Sequence, residues 1–439
     1  MKLHCLAALA LGAFTANASA SGFALLEQNS DGMGSAYAGG AASAENASTI
    51  YYNPAGLTQL DGDQWAASLQ FVNPSLPFSD RNSTSAGKPL SGGNGGNAGA
   101  QAWLPSFFLS HGLNERATFG LGVSVPFGLE TDYESGWKGR YYALNTRLQT
   151  LNFNPSLAYK INESWSIGGG VNLQYAKADL STAVDFGLIC VGLLGPGACA
   201  PSATLPQQAD GLSKLTGDSW AWGYNLGVLY SPSRATRFGM AYRSHIDHTL
   251  EGDVRFTLPA NLPAPLAASP RFANTAATAD LHLPDSFSMS VFHQASERLA
   301  LMADFTWTGW SRFDELRIRF ANGSPDNVTQ EHWHDTQRIS LGALYRYDDT
   351  WSYRAGIASD QSPVPDQYRT ANIPDNDRIW LTVGTQYRVS KRSRWDFGYA
   401  YVFVKGSDIN LTSPSQGNLV GNYQSHFDVL SAQYSQAFR

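Results

Sequence analysis

The chain has 439 residues, with 30 Lys and Arg against 36 Asp and Glu, so its formal net charge is −6. An acidic chain of this kind gives no electrostatic basis for nucleic-acid binding. Its length would suggest two or three soluble domains, yet no Pro-rich or Ser-rich linker divides it. After the first segment, no stretch approaches the ~20 apolar residues of a membrane-spanning helix.

Residues 1–20 carry the features of a secretory signal peptide. Lys2 supplies a positive charge, residues 6–14 form a short apolar run, and residues 18–20 are all small. The apolar run is too short to span a bilayer as a helix. We therefore predict cleavage after residue 20, export of the chain, and a mature N-terminus at Ser21.

Residues 21–62 differ from everything that follows them. They are rich in Gly, Ala and Ser, and they show neither a helical stripe nor strand alternation. Because such a segment folds compactly only within something larger, we interpret it as a plug, here called the hatch, inside a β-barrel. The alternative is a disordered N-terminal tail. Against a tail stand the clustered apolar residues Phe23, Leu25, Leu26, Met33, Tyr37, Ile50, Tyr51 and Tyr52.

Most of the remaining chain alternates between apolar and polar or small residues. Trp395, Phe397 and Tyr399 share one face, for example, while Asp396 and Gly398 share the other. A period of two with one apolar face is typical of a strand that contacts water on one side only. A soluble sandwich would bury these aromatics against a second sheet, whereas aromatic strand ends favour a membrane barrel. Fourteen such segments are found, near 64–74, 103–112, 116–126, 147–161, 164–180, 219–232, 235–256, 278–296, 298–313, 332–347, 350–359, 378–390, 394–404 and 425–438.

The connections between these segments alternate between tight turns and long loops. The tight turns lie near 113–115, 162–163, 233–234, 297, 348–349 and 391–393. The long loops lie near 75–102, 127–146, 181–218, 257–277, 314–331, 360–377 and 405–424. This alternation is expected when one barrel end faces the periplasm and the other the exterior. We therefore predict an all-β fold: a transmembrane antiparallel β-barrel of 14 strands formed by residues 63–439, with the N-terminal hatch inside its lumen.

Two cysteines, Cys190 and Cys199, remain after the signal peptide, and both lie in the longest loop. The exterior and the periplasm permit disulfides, so a pair within ten residues suggests a bond. The sequence that they enclose is apolar, which is unusual for an exposed loop. Two interpretations stay open: a landing site for an apolar ligand, or a lid that packs onto neighbouring loops.

The sequence gives little support for catalysis. The nucleophile elbow, the phosphate loop and the HExxH zinc motif are absent, so we predict no catalytic residue and no cofactor. An esterase would need a Ser–His pair that only tertiary structure brings together. His332 and His334 would share a strand face, but without a third ligand they are better interpreted as polar rim residues than as a metal site.

Several short motifs occur in an order that characterises a known family. They are Gly22-Phe23, Gly32-Met33-Gly34, Ala36-Tyr37-Ala38-Gly39, Asn53-Pro54-Ala55, residues 222–230, Tyr242-Arg243-Ser244, Trp310-Ser311-Arg312-Phe313, residues 362–365 and residues 373–378. This set resembles the FadL/TodX (OmpP1) family, outer-membrane transporters of long-chain fatty acids and other hydrophobic compounds. The resemblance covers essentially the whole mature chain. It implies a fourteen-stranded barrel closed by a hatch.

The resemblance assigns a gating role to the start of the hatch. Ser21, Gly22 and Phe23 lie at a free chain end that can move without stretching the barrel. We expect the ligand to contact Phe23 and to be released when this end shifts. In Asn53-Pro54-Ala55, the locked φ of proline follows an Asn that can bond its own backbone, which favours one fixed turn.

A basic residue of the family's ligand site corresponds to Arg317, which the resemblance therefore assigns to a carboxylate head group. The proposed lumen face also carries basic and large apolar residues, namely Arg338, Arg346, Arg378, Arg388, Trp380, Leu344 and Met302. At a second position where the family's ligand site has a basic residue, this chain has Thr182. This departure leaves neutral hydrocarbons open as ligands.

The third strand runs into Pro126, Phe127 and Gly128. Proline cannot donate to the strand ladder and glycine tolerates a bend, so the strand either ends here or kinks. In the family, an inward kink of this strand opens the barrel wall towards the membrane. The resemblance therefore implies a kink.

We thus expect a monomeric channel of the Gram-negative outer membrane, in contact with membrane lipid and lipopolysaccharide. It would import long-chain fatty acids or similar hydrophobic molecules passively, by loop capture, an internal pocket and lateral exit. The alternatives are uptake of neutral aromatic or aliphatic hydrocarbons by the same route, and an adhesin or structural barrel that uses its long loops for contact.

Overall fold

A computed structural model describes residues 22–438, and the predicted signal peptide, Ser21 and Arg439 lie outside the described residues. Fourteen antiparallel strands follow one another in chain order around a closed barrel. The first strand pairs with the last from Gln64↔Ala437 to Ser75↔His426, which closes the sheet. The prediction of a fourteen-stranded antiparallel barrel is confirmed. No helix among the described residues is long and apolar enough to cross a membrane.

Nine barrel strands are continuous. In chain order they are the first, second, fourth, fifth, sixth, eleventh, twelfth, thirteenth and fourteenth: Gln64–Ser75, Ala102–Gly112, Asn145–Lys160, Trp165–Asp185, Asp210–Tyr230, Trp351–Asp360, Arg378–Ser390, Ser393–Val404 and His426–Ala437. The fifth and sixth strands exceed their predicted lengths, because they continue past the apolar alternation into a polar extension.

Five barrel strands are interrupted, and each consists of two segments. The third is Ala117–Ser124 and Gly128–Asp132, the seventh Thr236–Arg243 and Ile246–Thr257, the eighth Thr275–Leu283 and Ser286–Gln294, the ninth Leu299–Thr308 and Glu315–Phe320, and the tenth Asn327–Gln330 and Thr336–Arg346. The sequence pattern predicted the seventh and eighth as continuous strands, and it assigned Gly128–Asp132, Glu315–Phe320 and Asn327–Gln330 to long loops. The interruptions therefore mark places where something other than strand pairing completes the wall.

The long loops carry structure of their own. A small sheet joins Phe78–Asp80, Thr84–Ser85, Lys88–Pro89, Ser407–Ser413 and Gly417–Tyr423. Short helices span Phe186–Leu194, Pro196–Cys199, Ala200–Ser202, Ala264–Ala267, Pro270–Phe272 and Trp310–Arg312. Apart from Trp310–Arg312, which lies between the two segments of the ninth strand, these elements lie at the end of the barrel opposite the tight turns.

The hatch is a chain of short helices that packs against the inner wall. Its helices are Ser30–Gly34, Gly40–Ser43, Thr49–Tyr52 and the 3₁₀ turn Pro54–Gln59. Two wall glycines allow the hatch backbone to approach closely. A Cβ at Gly239 would lie 1.9 Å from the Ala41 oxygen, and one at Gly356 would lie 2.2 Å from the Ser35 carbonyl carbon. Because neither position can carry a larger side chain, the wall and the hatch fix one another.

Buried charge also ties the hatch to the wall. Glu45 accepts two hydrogen bonds from the guanidinium of Arg354, at 3.0 and 2.6 Å. Arg338, on the tenth strand, donates to the Ala36 oxygen at 3.0 Å. Breaking the Glu45–Arg354 pair would leave each of these buried charges without its main partner, which is costly. These lumen arginines therefore serve the hatch in this structure.

The two faces of the barrel differ as a membrane protein requires. Outward side chains are large and apolar, including Trp222, Leu226 and Leu341, while inward ones such as Asn225 and Gln433 are buried and polar. Aromatic pairs mark both rims of the apolar band, for example Trp65 with Tyr434 at the tight-turn end. Such girdles are typical of membrane interfaces.

Candidate functional site

Phe23 is buried in an aromatic cluster inside the barrel. Its ring lies 4.7 Å from that of Trp310, 5.5 Å from Phe313, 5.5 Å from Trp333 and 6.2 Å from Phe127, measured between centroids. The Trp310, Phe313 and Phe127 contacts are edge-to-face, a favoured geometry for aromatic pairs. Phe23, near the start of the hatch, is thus held by side chains from the third, ninth and tenth strands.

Gly22 has a φ of +61°, and its N–H donates to the carboxylate of Asp375 at 3.0 Å. A Cβ here would lie 2.7 Å from the Trp333 ring and 2.9 Å from the Trp310 ring. The backbone therefore passes between the two indoles at a point where only glycine fits. Ser21, the other predicted gate residue at this end, lies outside the described residues.

The third strand is interrupted between Ser124 and Gly128, at the position of the predicted kink. Ser124 pairs with Asn152 and Gly128 with Gln149, so three residues of the third strand face two of the fourth. This is a β-bulge. Towards the second strand the ladder stops at Phe107↔Val123. The predicted kink thus coincides with a break in the wall between the second and third strands.

The start of the hatch closes this break from inside. Leu25 N–H donates to the Pro126 oxygen at 2.8 Å, and Gly128 N–H donates to the Phe23 oxygen at 2.9 Å. The Gln28 side chain donates to the Val125 oxygen at 2.8 Å and accepts from the Val125 N–H at 3.1 Å. Residues 22–28, the entry segment, therefore satisfy backbone groups that would otherwise be unpaired and buried.

An internal cavity of about 100 Å³ lies beside the entry segment. It is lined by Ala24, Leu25, Pro126 and Phe127 on one side and by Ser286, Thr306 and Asp304 on the other, with Arg243 and Arg338 nearby. Pockets for drug-sized ligands usually exceed ~300 Å³. A long acyl chain would therefore fit only if the entry segment moved.

The Asn53-Pro54-Ala55 turn anchors the hatch to the sixth strand. The Asn53 side chain accepts from the Ala55 N–H at 3.0 Å, and its amide donates to the Ala41 oxygen at 2.7 Å and the Val228 oxygen at 3.0 Å. Asn53 is fully buried. The turn is thus fixed on three sides, and it lies on a different part of the hatch from the entry segment.

A larger cavity, of about 420 Å³, lies among the long loops. Inward side chains of the fifth, sixth, seventh and ninth strands supply an apolar part of its lining: Leu180, Leu215, Val254, Leu316, Ile318 and Phe320. Thr182, which stands where the family has a basic residue, also lines it. The rest of the lining is polar, so the cavity offers a mixed apolar and polar compartment before the hatch.

The structure joins Cys190 and Cys199 in a disulfide, with Cα atoms 6.0 Å apart. Both cysteines are buried with Leu266 of the loop after the seventh strand, while Leu193 in the enclosed segment is 67% exposed. The loop therefore has one packed side and one exposed apolar side. Landing site and lid both remain compatible with this arrangement.

The structure does not bring Arg317 to either cavity. Leu316 and Ile318 face the cavity of about 420 Å³ among the long loops, here called the upper cavity. Arg317, between them, therefore projects to the outer side of the ninth strand. There its guanidinium donates to Glu315 at 2.6 Å and to Asp326 at 3.1 Å. The sequence-based role of Arg317 stays a prediction, and it would require this side chain to leave both carboxylates and cross the wall.

The aromatic cluster around Phe23 was not found from the sequence. Trp310 and Phe313 belong to a motif used for the family resemblance, but their irregular spacing gives no strand phase. The short helix Trp310–Arg312 turns them inward. Glu331 lies beside them, and its carboxylate accepts a hydrogen bond from the Trp333 indole N–H at 3.0 Å. Burial raises the pKa of Glu331 to about 8.

His332 and His334 lie between the two segments of the tenth strand, so the expectation that they share a strand face is wrong. His332 pairs instead with the carboxylate of Asp314 at 2.5 Å. Among residues 22–438, no group of three His, Cys, Asp or Glu is placed to hold a metal ion. The polar-rim interpretation is consistent with this placement.

A closed fourteen-stranded barrel with an apolar outer band and an enclosed plug is an outer-membrane barrel of the transporter type. The sequence model of the outer membrane protein transport family (OMPP1/FadL/TodX) matches residues 11–438, and the chain belongs to this family. It is therefore an outer-membrane protein of a family of transporters and channels.

Individual relatives agree with this assignment. The chain is 32% identical over 409 residues to the long-chain fatty acid transport protein of Salmonella typhi, covering 92% of both chains. Among solved structures, a Pseudomonas aeruginosa FadL homologue is 26% identical with a TM-score of 0.87, covering 95% of this chain and 100% of that one. The Ralstonia pickettii toluene transporter TbuX shares the fold, with a TM-score of 0.67 at 21% identity over 94% of this chain and 100% of that one.

Proposed function

We propose that the protein takes up long-chain fatty acids or similar hydrophobic molecules passively across the outer membrane. The observation that carries the proposal is the entry segment, which lies between an internal cavity and a break in the barrel wall. One small displacement of this segment would enlarge the cavity and open the break. Ligand capture and release would then be coupled through residues 22–28.

The route has three stages. A ligand first meets the apolar Cys190–Cys199 loop and the cavity of about 420 Å³ beneath the long loops. It then reaches the cavity beside Phe23, and finally leaves sideways at Pro126–Gly128 into the membrane. Each stage keeps an apolar chain away from water, which lowers the cost of crossing the polar lipopolysaccharide layer.

The same route would suit uptake of a neutral hydrocarbon. Two observations favour this second candidate: Thr182 lines the upper cavity in place of a basic residue, and Arg317 is engaged by two carboxylates on the outer wall. The lining of that cavity therefore gives no reason for the ligand to carry a charged head group. Competition of unlabelled alkanes against fatty acid would separate the two ligand classes.

The domain organisation that goes with this function is a signal peptide at 1–20, a hatch at 21–62 and a barrel at 63–439. The barrel would act as a monomer, surrounded by membrane lipid and lipopolysaccharide. A single closed barrel supplies all strand partners itself, so no second copy is needed to complete the sheet.

Uptake of radiolabelled oleate by a transporter-null strain tests the proposal. Expression of this protein should raise the initial rate well above that of the empty vector. Cells that expose the folded barrel at their surface but show no gain would contradict import, and would favour an adhesin or structural role for the long loops.

A further inference from the structure

The barrel wall has a second break, between the eighth and ninth strands. Below it, Ser286–Gln294 pair with Ala300–Thr308; above it, Ala277–Ala279 pair with Ile318–Phe320. Residues 280–285 of the eighth strand and 309–317 of the ninth strand therefore fall outside the ladder between these two strands. A backbone hydrogen bond from Gly309 to the Asp285 oxygen, at 2.9 Å, crosses the lower end.

This break lies at the outer rim of the apolar band. Phe287 pairs directly with Trp307 across the two strands just below it, at the position of a membrane-interface aromatic girdle. Immediately above, Asp280 and His282 project outward and engage Arg319 and Asp247. The break therefore faces the polar layer just outside the lipid tails.

On the inner side the break meets the apolar cluster that contains Phe23. Leu281 and Leu283 of the eighth strand and Phe313 of the ninth are buried in that cluster. The cluster continues across the lumen to Phe127 at the kink of the third strand. An apolar path thus joins the two breaks through the barrel interior.

Side chains close the break on its outer side. The Arg312 guanidinium donates to Asp285 at 3.2 Å, and the Tyr242 hydroxyl donates to the same carboxylate at 3.2 Å. The Arg312 side chain is 44% exposed, whereas that of Asp285 is 12% exposed. Partly exposed ion pairs of this kind contribute little to stability. The closure is therefore weaker than a continuous strand ladder.

We propose that this break is a side portal, through which an amphipathic molecule with an anionic head and an apolar tail enters the barrel from the polar layer. The proposal rests on the uptake function and adds an entrance to it. The ligand carboxylate replaces Asp285 on Arg312, so one charge-assisted contact is exchanged for another. The tail then passes between Leu283 and Phe313 into the apolar cluster.

A cross-link across the break tests the portal directly. In the variant with Asp285→Cys and Arg312→Cys, a short bifunctional thiol reagent should join the two strands, and mass spectrometry measures the yield. The native cysteines are bonded to each other and do not compete. Joining the strands should lower initial oleate uptake at least about fivefold relative to the same protein without reagent.

The matched control places cysteines at Asp280 and Arg319, which also form an outward ion pair between the same strands, at 2.7 Å. Arg319 lies in the ladder above the break and Asp280 directly follows that ladder, at the upper edge of the break, so this cross-link should leave uptake unchanged. Equal loss in both cross-linked proteins, or no loss in either, would overturn the portal. Unchanged oleate uptake in the cross-linked variant with Asp285→Cys and Arg312→Cys would overturn the portal and leave the proposed function standing. The proposed function fails only if the untreated wild-type protein gives no uptake.

Single variants report on the head group. Arg312→Gln should reduce uptake of oleate several-fold more than uptake of the uncharged oleyl alcohol, because only the acid carries a carboxylate for the guanidinium. Arg319→Gln, with its partner Asp280 on the same two strands, should alter neither. Equal losses of acid and alcohol in Arg312→Gln would overturn the assignment of Arg312 to the anionic head.

Discussion

The two breaks in the barrel wall are closed in different ways. Beside the third strand, the backbone of the entry segment supplies hydrogen bonds to Pro126 and Gly128. Between the eighth and ninth strands, the closure is an ion pair and a tyrosine on the outer side, with apolar side chains behind them. The first break is closed by the hatch, whereas the second is closed by side chains at the solvent-facing rim.

This difference separates two kinds of control. A break closed by the entry segment opens only when residues 22–28 move, so its state depends on what occupies the lumen. A break closed by a partly exposed ion pair responds to charged groups outside the barrel. The same apolar cluster lies behind both, and Phe23 belongs to it. The predictions below separate the two closures.

The largest effect is expected from fixing the entry segment to the third strand. Ala24 and Phe127 face each other as antiparallel bridge partners, so Ala24→Cys with Phe127→Cys should form a disulfide across the kink. Oxidation should stop oleate transport and leave oleate binding intact, because the segment can no longer leave the break. Uptake before and after reduction measures this.

A reduced sample of the same double variant is the control. It should transport at a rate close to that of wild type, which shows that the substitutions alone are tolerated. Normal uptake by the fully oxidised protein would mean that ligands do not leave through the third-strand break.

Deletion of Ser21, Gly22 and Phe23 should impair ligand binding. The deletion removes the ring that fills the Trp310–Trp333 cluster and the Phe23 oxygen that accepts from Gly128. Binding of a fluorescent fatty acid to purified protein should weaken at least about tenfold. The variant Phe23→Leu, which keeps the backbone bonds, should lose less; an equal loss would assign the effect to the ring alone.

Asn53→Ala should loosen the hatch while leaving the barrel intact. The change removes the amide that donates to the buried Ala41 oxygen and to the Val228 oxygen, at a cost of about 1–3 kcal/mol. Hydrogen exchange in residues 29–59 should accelerate roughly tenfold. The exposed Asn410, changed to Ala, should have no such effect; unchanged exchange in Asn53→Ala would show that the turn does not anchor the hatch.

Glu331 gives the aromatic cluster a pH dependence. Burial raises its pKa from about 4.5 to about 8, so the folded protein holds a proton that the unfolded chain releases. The resulting stability is fully present below pH 4.5 and is lost as the pH rises to about 8. The unfolding temperature should therefore fall between pH 5 and pH 8 in wild type, and fall less in Glu331→Gln. An equal fall in both would mean that other groups cause it.

Much of the barrel could be predicted because strand alternation and loop length are local properties. Each of the fourteen predicted segments overlaps a barrel strand, but the third, ninth and tenth strands continue through Gly128–Asp132, Glu315–Phe320 and Asn327–Gln330, which were predicted as loops. Closure of the barrel is shown by the pairing of the first strand with the last. The hatch could be recognised by its lack of periodicity. The irregularity at Pro126 had a local cause, a residue that cannot donate to a ladder, but the choice between a strand end and a kink rested on the family resemblance and stays a prediction.

The eighth strand is likewise interrupted at a proline, Pro284, whose effect the sequence analysis missed, whereas the interruptions of the ninth and tenth strands contain no proline. Asp285 and Arg312 look like ordinary polar residues until tertiary structure brings them to 3.2 Å. The inward turn of Trp310 and Phe313 also shifts the strand phase beyond it. That shift decides which side of the wall Arg317 faces, and periodicity cannot be carried across an insertion of unknown length.

Arg317→Ala should have the smallest effect, and it decides between two expectations. The family pattern predicts that the change weakens fatty-acid binding more than alkane binding. The observed position, outside the wall and paired with Glu315 and Asp326, predicts small and equal changes of less than about twofold. Titration of purified protein with oleate and with hexadecane measures both. A selective loss of oleate binding would mean that Arg317 moves into the lumen when ligand binds, and a small equal change would leave the head group to Arg312.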